Sequence, residues 1–348
     1  MRHIVIGSGA VGGSIGGRLA ETGQDVVLVA RGAHYEALRT HGLRLTTPDG
    51  TRVHQLPVVE GPEALVLRPD DVLLLSVKTQ DSAAALDAWS GRPVEGGGTA
   101  GELLPLVCAQ NGVENERLAL RRFRHVYGMC VWLPSSHVEP GEVVAPCAPY
   151  TGMLHLGRYP SGIDATARRI SASLEKGTLL APLVPDVMRW KYTKLLANLS
   201  NSLGALTGPL DTEEARLIQR RAYDEGRAVL AAAGIDSVSP EKAAEVRSDH
   251  LGLDPDLAAG RDGSSSWQSL SRGTGSIEAD HLNGEIVLLG RLHSVPTPVN
   301  ETLARVANTF ARERRRPGSM SVAELAVLIE VAQQDRGEMA RETGPSGH

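Results

Sequence analysis

The sequence predicts an α/β protein: an N-terminal doubly wound parallel sheet followed by an all-α C-terminal domain. Three observations carry this. The chain opens on an apolar run, a glycine-rich turn, a helix-compatible stretch and a second apolar run. Alternating strand-type and helix-type segments then continue to about Val184. From Asp186 onward the pattern is almost wholly helical.

Length fits this reading, because 348 residues are long for one core and two domains are the default. The expected boundaries are 1–185 for the first domain, 186–340 for the second and 341–348 for a disordered tail. A net charge of −5 argues against a general nucleic-acid binder. Cys108, Cys130 and Cys147 form no CxxC pair and read as buried thiols in a reducing compartment. No apolar run approaches the ~18 residues of a membrane helix. A cytoplasmic protein is expected, without a nucleic-acid or membrane partner.

In chain order, His3-Ile4-Val5-Ile6 is a strand, and Gly7-Ser8-Gly9-Ala10-Val11-Gly12 follows at once. Ser14 to Thr22 is a helix, Gly23-Gln24 turns the chain, and Val26 to Ala30 is a second strand ending on Arg31. This is the order of the Rossmann dinucleotide fingerprint. Gly7 permits the tight turn, Gly9 lets backbone approach a pyrophosphate, and Gly12 lets helix and strand pack closely. The diphosphate would sit on the helix N-terminus around Ala10 and Val11, where unpaired N–H groups favour an anion. An NAD-selective unit ends its second strand on Asp or Glu, whereas an Arg accommodates the 2′-phosphate of NADP. Arg31 therefore points to NADP, against the plainer reading of a solvated arginine.

A helix is expected over Ala33–Thr40, then strands around Leu43–Thr47 and Arg52–Val59. Val72 to Val77 is a near-continuous apolar run, as in a parallel strand buried on both faces. It ends at Lys78, at the carboxyl end where open α/β sheets bind ligands. A helix over Ser82–Trp89 precedes Gly91 to Gly101, whose five glycines and one proline read as a mobile loop. Leu103–Ala109 is a strand running into Gln110-Asn111-Gly112. A helix over Glu114–Phe123 and a strand over His125–Trp132 follow. Val138–Tyr159 reads as an antiparallel meander closing the sheet. A helix over Ile163–Lys176 and a strand over Thr178–Val184 complete the domain. Asp186 is a plausible N-cap for one long helix, Val187–Leu206. Further helices are expected over Thr212–Ala233, Pro240–His250, Ser276–Leu292, Val299–Arg314 and Val322–Glu338.

On the long helix, Lys191, Lys194, Asn198 and Asn201 fall at intervals of three, four and three, which keeps them on one face. Leu195, Leu199, Leu203 and Leu206 form an apolar strip beside them. Such a Lys–Asn stripe can orient and protonate a ketone, or it can be a solvated face. Further on come Ser266-Trp267-Gln268-Ser269, then Ile277-Glu278-Ala279-Asp280-His281-Leu282-Asn283-Gly284, then Val295-Pro296-Thr297-Pro298. Together with Lys194-Leu195-Leu196-Ala197-Asn198, these stretches resemble the ketopantoate reductase family (2-dehydropantoate 2-reductase) over about Met1 to Arg314.

The resemblance implies an NADPH-dependent reduction of a 2-keto acid, and a homodimer. Residue by residue it implies that Gly7, Gly9 and Gly12 cradle the cofactor, Arg31 and Lys78 grip its phosphate, and Asn111 lies near the nicotinamide. It makes Lys194 the catalytic lysine and Glu278 the active-site glutamate, with Asn198, Asn201 and Ser266 binding substrate. Lys191 competes with Lys194, because the family commonly places its lysine two residues after Trp, and here Trp190 stands four before Lys194. Ser202 competes with Asn201 for the second asparagine's place. Ser269 replaces the usual Gln, and Ser276-Ile277 stands where Thr precedes the glutamate. These departures surround the substrate. A paralogue acting on another 2-keto compound, and a non-catalytic NADP-binding redox sensor, are the alternative readings.

Overall fold

The computed structural model describes residues 1–137, 139–259 and 263–342. Of the tail expected at 341–348, residues 343–348 lie outside them while 341–342 end a helix; Val138, the start of the expected meander, also lies outside. The chain divides into two compact units, Met1–Lys194 with Ser237–Arg261, and Leu195–Asp236 with Asp262–His348. The division falls inside the helix after Asp186, and a segment from the helical half belongs to the first unit.

In the first unit, β1 (Arg2–Ile6), α1 (Ala10–Glu21) and β2 (Asp25–Val29) form the opening βαβ. Then come α2 (Gly32–His41), β3 (Leu43–Thr47), β4 (Gly50–His54), β5 (Val58–Val59) and β6 (Asp71–Leu75). They are followed by α3 (Thr79–Ser90), α4 (Ala100–Leu103), β7 (Pro105–Cys108), α5 (Asn115–Leu120) and β8 (His125–Trp132). β9 (Glu142–Val144), β10 (Cys147–Pro149), β11 (Gly152–Arg158), α6 (Ala165–Lys176) and β12 (Leu179–Leu180) lead to α7 (Val187–Asn198).

The main sheet runs β12-β11-β8-β7-β6-β1-β2-β5. Every neighbouring pair is parallel except β11 on β8. Alternate residues of the central strands feed two cores. Val5, Leu28, Leu74 and Val107 face one, with Ile15, Leu19 and Ile170 from helices. Ile4, Ile6, Val27, Leu73, Leu75 and Leu106 face the other, with Leu86, Trp89 and Phe123. Helices on both faces explain why these strands read as unbroken apolar runs.

The expected meander is not one. Only β11 joins the main sheet; β9 pairs parallel with β3 in a three-stranded sheet that also holds β4. β10 pairs antiparallel with β13 (Leu251–Leu253), a strand in the half read as all-helical. The glycine stretch from Gly91 is pinned rather than loose. Val94 N–H donates to Gly98 O and Ala100 N–H to Arg92 O, Val94 is buried, and Thr99 with Glu102 forms a capping box for α4.

The expected single helix Val187–Leu206 breaks at Leu199, where α8 (Ser200–Thr207) begins. Beyond it lie α9 (Glu213–Ala232), α10 (Pro240–Ser248), α11 (Pro255–Ala259), α12 (Ser265–Ser271), α13 (Asn283–Leu292), α14 (Pro298–Arg312) and α15 (Val322–Glu342). A 3₁₀ turn over Glu278–His281 precedes α13, so the expected helix Ser276–Leu292 starts late. In the second unit Leu195, Leu199, Leu203 and Leu206 are all buried, as the apolar strip required. A Cβ on Gly226 of α9 would sit 2.7 Å from Leu196 Cδ2, so glycine there sets the close packing of α9.

One polar network ties this unit together. Ser202 Oγ donates to Asn283 Oδ1 at 2.7 Å, and Asn283 Nδ2 donates to Leu199 O and Asn300 Oδ1, both at 2.9 Å. Asn300 Nδ2 donates to Ala222 O and to Glu225. The Glu225 carboxylate also accepts the N–H groups of Val299 and Asn300, at the start of α14. Burial raises its pKa while these donors oppose the rise.

Candidate functional site

The glycine turn is locked from beneath. Gly7 has φ +99, and a Cβ there would lie 2.7 Å from Val77 N. Ser76 Oγ donates to Gly7 O at 2.9 Å, and Ser8 Oγ to Val29 O at 3.0 Å. His34 closes the other side: Nε2 donates to Ser8 O at 2.8 Å while Nδ1 accepts from Gly141 N–H at 2.9 Å. Burial lowers the His34 pKa, in the direction that favours this neutral, accepting ring.

Gly12 is fixed by packing, since a Cβ would collide with the Gly7 carbonyl and with Val5. Gly9 is different. The nearest atom to a Cβ there is His137 Cδ2 at 3.8 Å, and its φ of −71 suits any residue. Among the described residues nothing demands glycine at Gly9, so the bare backbone leaves room for a ligand to approach. Gly9 is also the N-cap of α1 and makes no side-chain cap bond, leaving the half-buried turn at Ala10 and Val11 to an anion. The loop thus fits a dinucleotide pyrophosphate on the chain's own geometry.

Arg31, Lys78 and Asn111 stand beyond the carboxyl ends of β2, β6 and β7. With β1 these strands are consecutive in the sheet, so three of the expected cofactor contacts share one edge with the glycine turn. Arg31 is exposed and is the N-cap of α2. A network unseen in the sequence joins two of these turns. Gln110 Nε2 donates to Val77 O and Ser82 Oγ, both at 2.8 Å. Ser82 Oγ donates to Asn115 Oδ1 at 2.7 Å, and Asn115 Nδ2 to Thr79 Oγ1 at 3.1 Å.

The two lysines of α7 separate cleanly. Lys191 is buried and ion-paired with the fully buried Glu116, whose pKa burial raises against the pull of the lysine. Among the described residues Lys194, one turn on, has no such partner. Its Nζ lies 3.8 Å from the centroid of the Trp132 ring. Desolvation, helped by the charge of Arg247, lowers its pKa to about 8. Around it, His155 is buried, stacks on Trp190 at 3.8 Å and is held to a pKa of about 4 by burial. The Cys130 thiol is pushed up to about 11 by burial. Both are uncharged near neutrality, so Lys194 sits in a neutral wall beside a second cation.

In the second unit, Asn198 and Ser266 are buried, and among the described residues Asn198 Nδ2 and Ser266 Oγ have no hydrogen-bond partner. Unsatisfied buried donors of this kind are expected where a ligand completes the bonding. Ser264 Oγ donates to Asn201 O at 3.3 Å, linking the start of α12, and so Ser266, to α8. Glu278 is buried in the 3₁₀ turn and acts electrostatically on Arg272. Ser202, the rival of Asn201, is fully buried with its hydroxyl given to Asn283. Trp132, Arg247 and His34 had no local signal, because each depends on partners distant in the chain.

The fold and loop define a Rossmann-type dinucleotide-binding protein with a helical second unit. Residues 3–159 match the model of ketopantoate reductase PanE/ApbA, and residues 186–311 match that of its C-terminal region. The chain belongs to the ketopantoate reductase family, a family of oxidoreductases. It is 28% identical to a 2-dehydropantoate 2-reductase of Halobacterium salinarum, over 90% of this chain and 100% of that one. It is also 28% identical to the Archaeoglobus fulgidus 2-dehydropantoate 2-reductase, over 86% and 94%. A solved PanE/ApbA family ketopantoate reductase from Ralstonia eutropha superposes with a TM-score of 0.74 at 26% identity, over 91% of this chain and 100% of that one. D-mandelate dehydrogenase with NADH and anilino(oxo)acetate shares the fold, with a TM-score of 0.76 at 21% identity, over 91% and 100%. Among the described residues no helix is long and apolar enough to cross a membrane, and the three cysteines are buried and unpaired.

Proposed function

We propose that this chain reduces 2-dehydropantoate (ketopantoate) to pantoate with NADPH, a step toward pantothenate and coenzyme A. The observation that carries the reading is Lys194: a half-buried ammonium with a pKa of about 8, beside a Trp ring and, among the described residues, with no carboxylate acting on it, on the helix that also bears Asn198. Gly7, Gly9, Ala10, Val11 and Gly12 would hold the pyrophosphate, Arg31 and Lys78 the 2′-phosphate, and Asn111 the nicotinamide end. When bound, the nicotinamide supplies hydride to the ketone carbon.

Lys194 donates a hydrogen bond to the ketone oxygen and gives up its proton as that oxygen becomes an alkoxide. A pKa of about 8 keeps the lysine protonated near neutrality yet ready to release the proton, which is worth ~10²–10⁴-fold in rate. Its charge beside the forming oxyanion stabilises the transition state further. Glu278 is the active-site glutamate that the family resemblance implies. Asn198, Asn201 and Ser266 hold the carboxylate and hydroxyl, with the two unpartnered donors in support. Unpaired buried cysteines fit a reducing cytoplasm. A homodimer fits too, since a Staphylococcus aureus relative is described as a dimeric ketopantoate reductase.

The test is NADPH oxidation with ketopantoate beside a panel of 2-keto acids, with NADH as control. Fast, NADPH-selective turnover of ketopantoate supports the reading. Turnover of only another panel member assigns the chain to a paralogue, the outcome that Ser269 and Ser276-Ile277 would favour. NADPH binding without any turnover points to a redox sensor.

A further inference from the structure

Arg247 shares an aromatic ring with Lys194. Its guanidinium carbon lies 3.5 Å from the Trp132 centroid, and Lys194 Nζ lies 3.8 Å from the same point. The two cations can be no further apart than those distances laid end to end. Arg247 is half-buried, and among the described residues its buried Nη1 has no hydrogen-bond partner. Among the described residues, the Cys130 thiol acts on both cations and Arg247 acts on Lys194; no carboxylate is among the groups that shift either one. His155 adds no charge at neutral pH. The indole face attracts both cations but neutralises neither. Two like charges, partly desolvated and unpaired, form a locus that an anion stabilises.

The backbone shows how this arises. Arg247 rides on α10, which lies between two stretches of the second unit yet belongs to the first. β13 follows at once and pairs with β10, Cys147 opposite Leu253 and Pro149 opposite Leu251. The chain returns to the first unit for α10, β13 and α11, and that return delivers the guanidinium to Trp132.

We propose that Arg247 is a specificity-determining residue that holds the carboxylate of a 2-keto acid while Lys194 addresses its ketone oxygen. This rests on the role given to Lys194 above. In a 2-keto acid the carboxylate carbon is bonded directly to the ketone carbon, so the groups receiving the two must lie close together, and the shared Trp132 ring holds Arg247 and Lys194 within the 3.5 and 3.8 Å that each spans to its centre. A guanidinium fork matches a carboxylate with two parallel N–H···O bonds, which an ammonium does not. A hydroxyl such as that of Ser266 adds a hydrogen bond but no opposing charge. Aldehydes, lactones and esters with a similar ketone lack the anion and are discriminated against here.

The experiment compares wild type, R247Q and R247K on a 2-keto acid and on its methyl ester, which keeps the ketone and masks the charge. Circular dichroism and NADPH affinity, unchanged in R247Q, establish that the fold survives. The expected result is a loss of about 30- to 100-fold in kcat/KM for the acid in R247Q, less than about threefold for the ester, and partial recovery in R247K. Equal losses on acid and ester, or no loss on the acid, overturn the assignment. Should wild type reduce no 2-keto acid, the proposed reaction fails, and calorimetric titration with a 2-hydroxy acid then decides Arg247 separately. Binding to wild type that weakens at least about tenfold in R247Q sustains the carboxylate site; equal binding, or none, overturns it.

Discussion

Asn283 donates its amide to the main-chain oxygen of Leu199, at the break between α7 and α8. The same amide takes the Ser202 hydroxyl and reaches Asn300. The break is therefore held from outside the helix, and Asn283 and Asn300 are structural. N283A is expected to cost about 3 kcal/mol in urea unfolding, because it leaves the Ser202 donor and the Leu199 and Asn300 acceptors unpaired in the core. N283A/N300A is expected to cost clearly less than the sum of its single variants, since both break one network. Additive losses would show the two act separately.

Lys194 and Lys191 are expected to fail in different ways. K194A should lower turnover ~10²–10⁴-fold while NADPH binding and thermal stability hold. K191M should unfold readily, by about 3–5 kcal/mol, because Glu116 would be left charged and alone in the core. Replacing both, as in E116L/K191M, should restore most of that stability and retain turnover. Full activity in K194A would remove it from the chemistry.

The pH profile carries its own signature. The proton donor must be protonated, so kcat/KM should fall as one group loses its proton above about pH 8. Arg247 lowers the Lys194 pKa and Cys130 opposes it. In R247Q the falling limb should move to higher pH, whatever happens to affinity. A limb that stays in place would mean another group titrates.

His155 should limit stability in acid. Burial holds its pKa at about 4 against 6.5 as the ordinary value. The unfolded chain takes up a proton below about pH 6.5 and the folded chain refuses it until about pH 4. Stability from this group is thus complete above pH 6.5 and is lost as pH falls toward 4, by about 3 kcal/mol. H155F, which can still stack on Trp190, should flatten that slope in denaturant titrations. His3, also lowered to about 4 by burial, should leave a second, similar slope behind.

The glycine loop can be dissected by two alanines. G9A meets no close protein atom and should keep the melting temperature while weakening NADPH binding at least about tenfold. G12A collides with the Gly7 carbonyl and should lower stability itself. If G9A binds NADPH normally, the pyrophosphate lies elsewhere.

What the sequence made legible follows from which forces are local. β1, β2, β6 and β8 stand where their apolar runs predicted, because burial on both faces imposes composition directly on the strand. The cofactor turn was equally plain, since Gly7 and Gly12 answer to neighbouring backbone. The break at Leu199 was not, because Asn198-Leu199-Ser200 contains no breaker and the partner that holds it is Asn283. The Gly91 stretch misled for the same reason: its order comes from Val94 entering the core and from the Thr99–Glu102 cap. Lys194 was readable as one of two lysines; only Glu116, far upstream, shows which one is tied up. Trp132 and Arg247 carried no pattern at all.

The first unit is made of two separate pieces of chain, with its second piece beginning at Ser237. No single cut releases it whole. A fragment ending at Lys194 would carry the glycine loop and the lysine, yet would lack the strand partner of β10 and one of the two cations on Trp132. A minimal nucleotide-binding module from this protein therefore has to be spliced, joining residue 194 to residue 237 through a designed linker, rather than truncated.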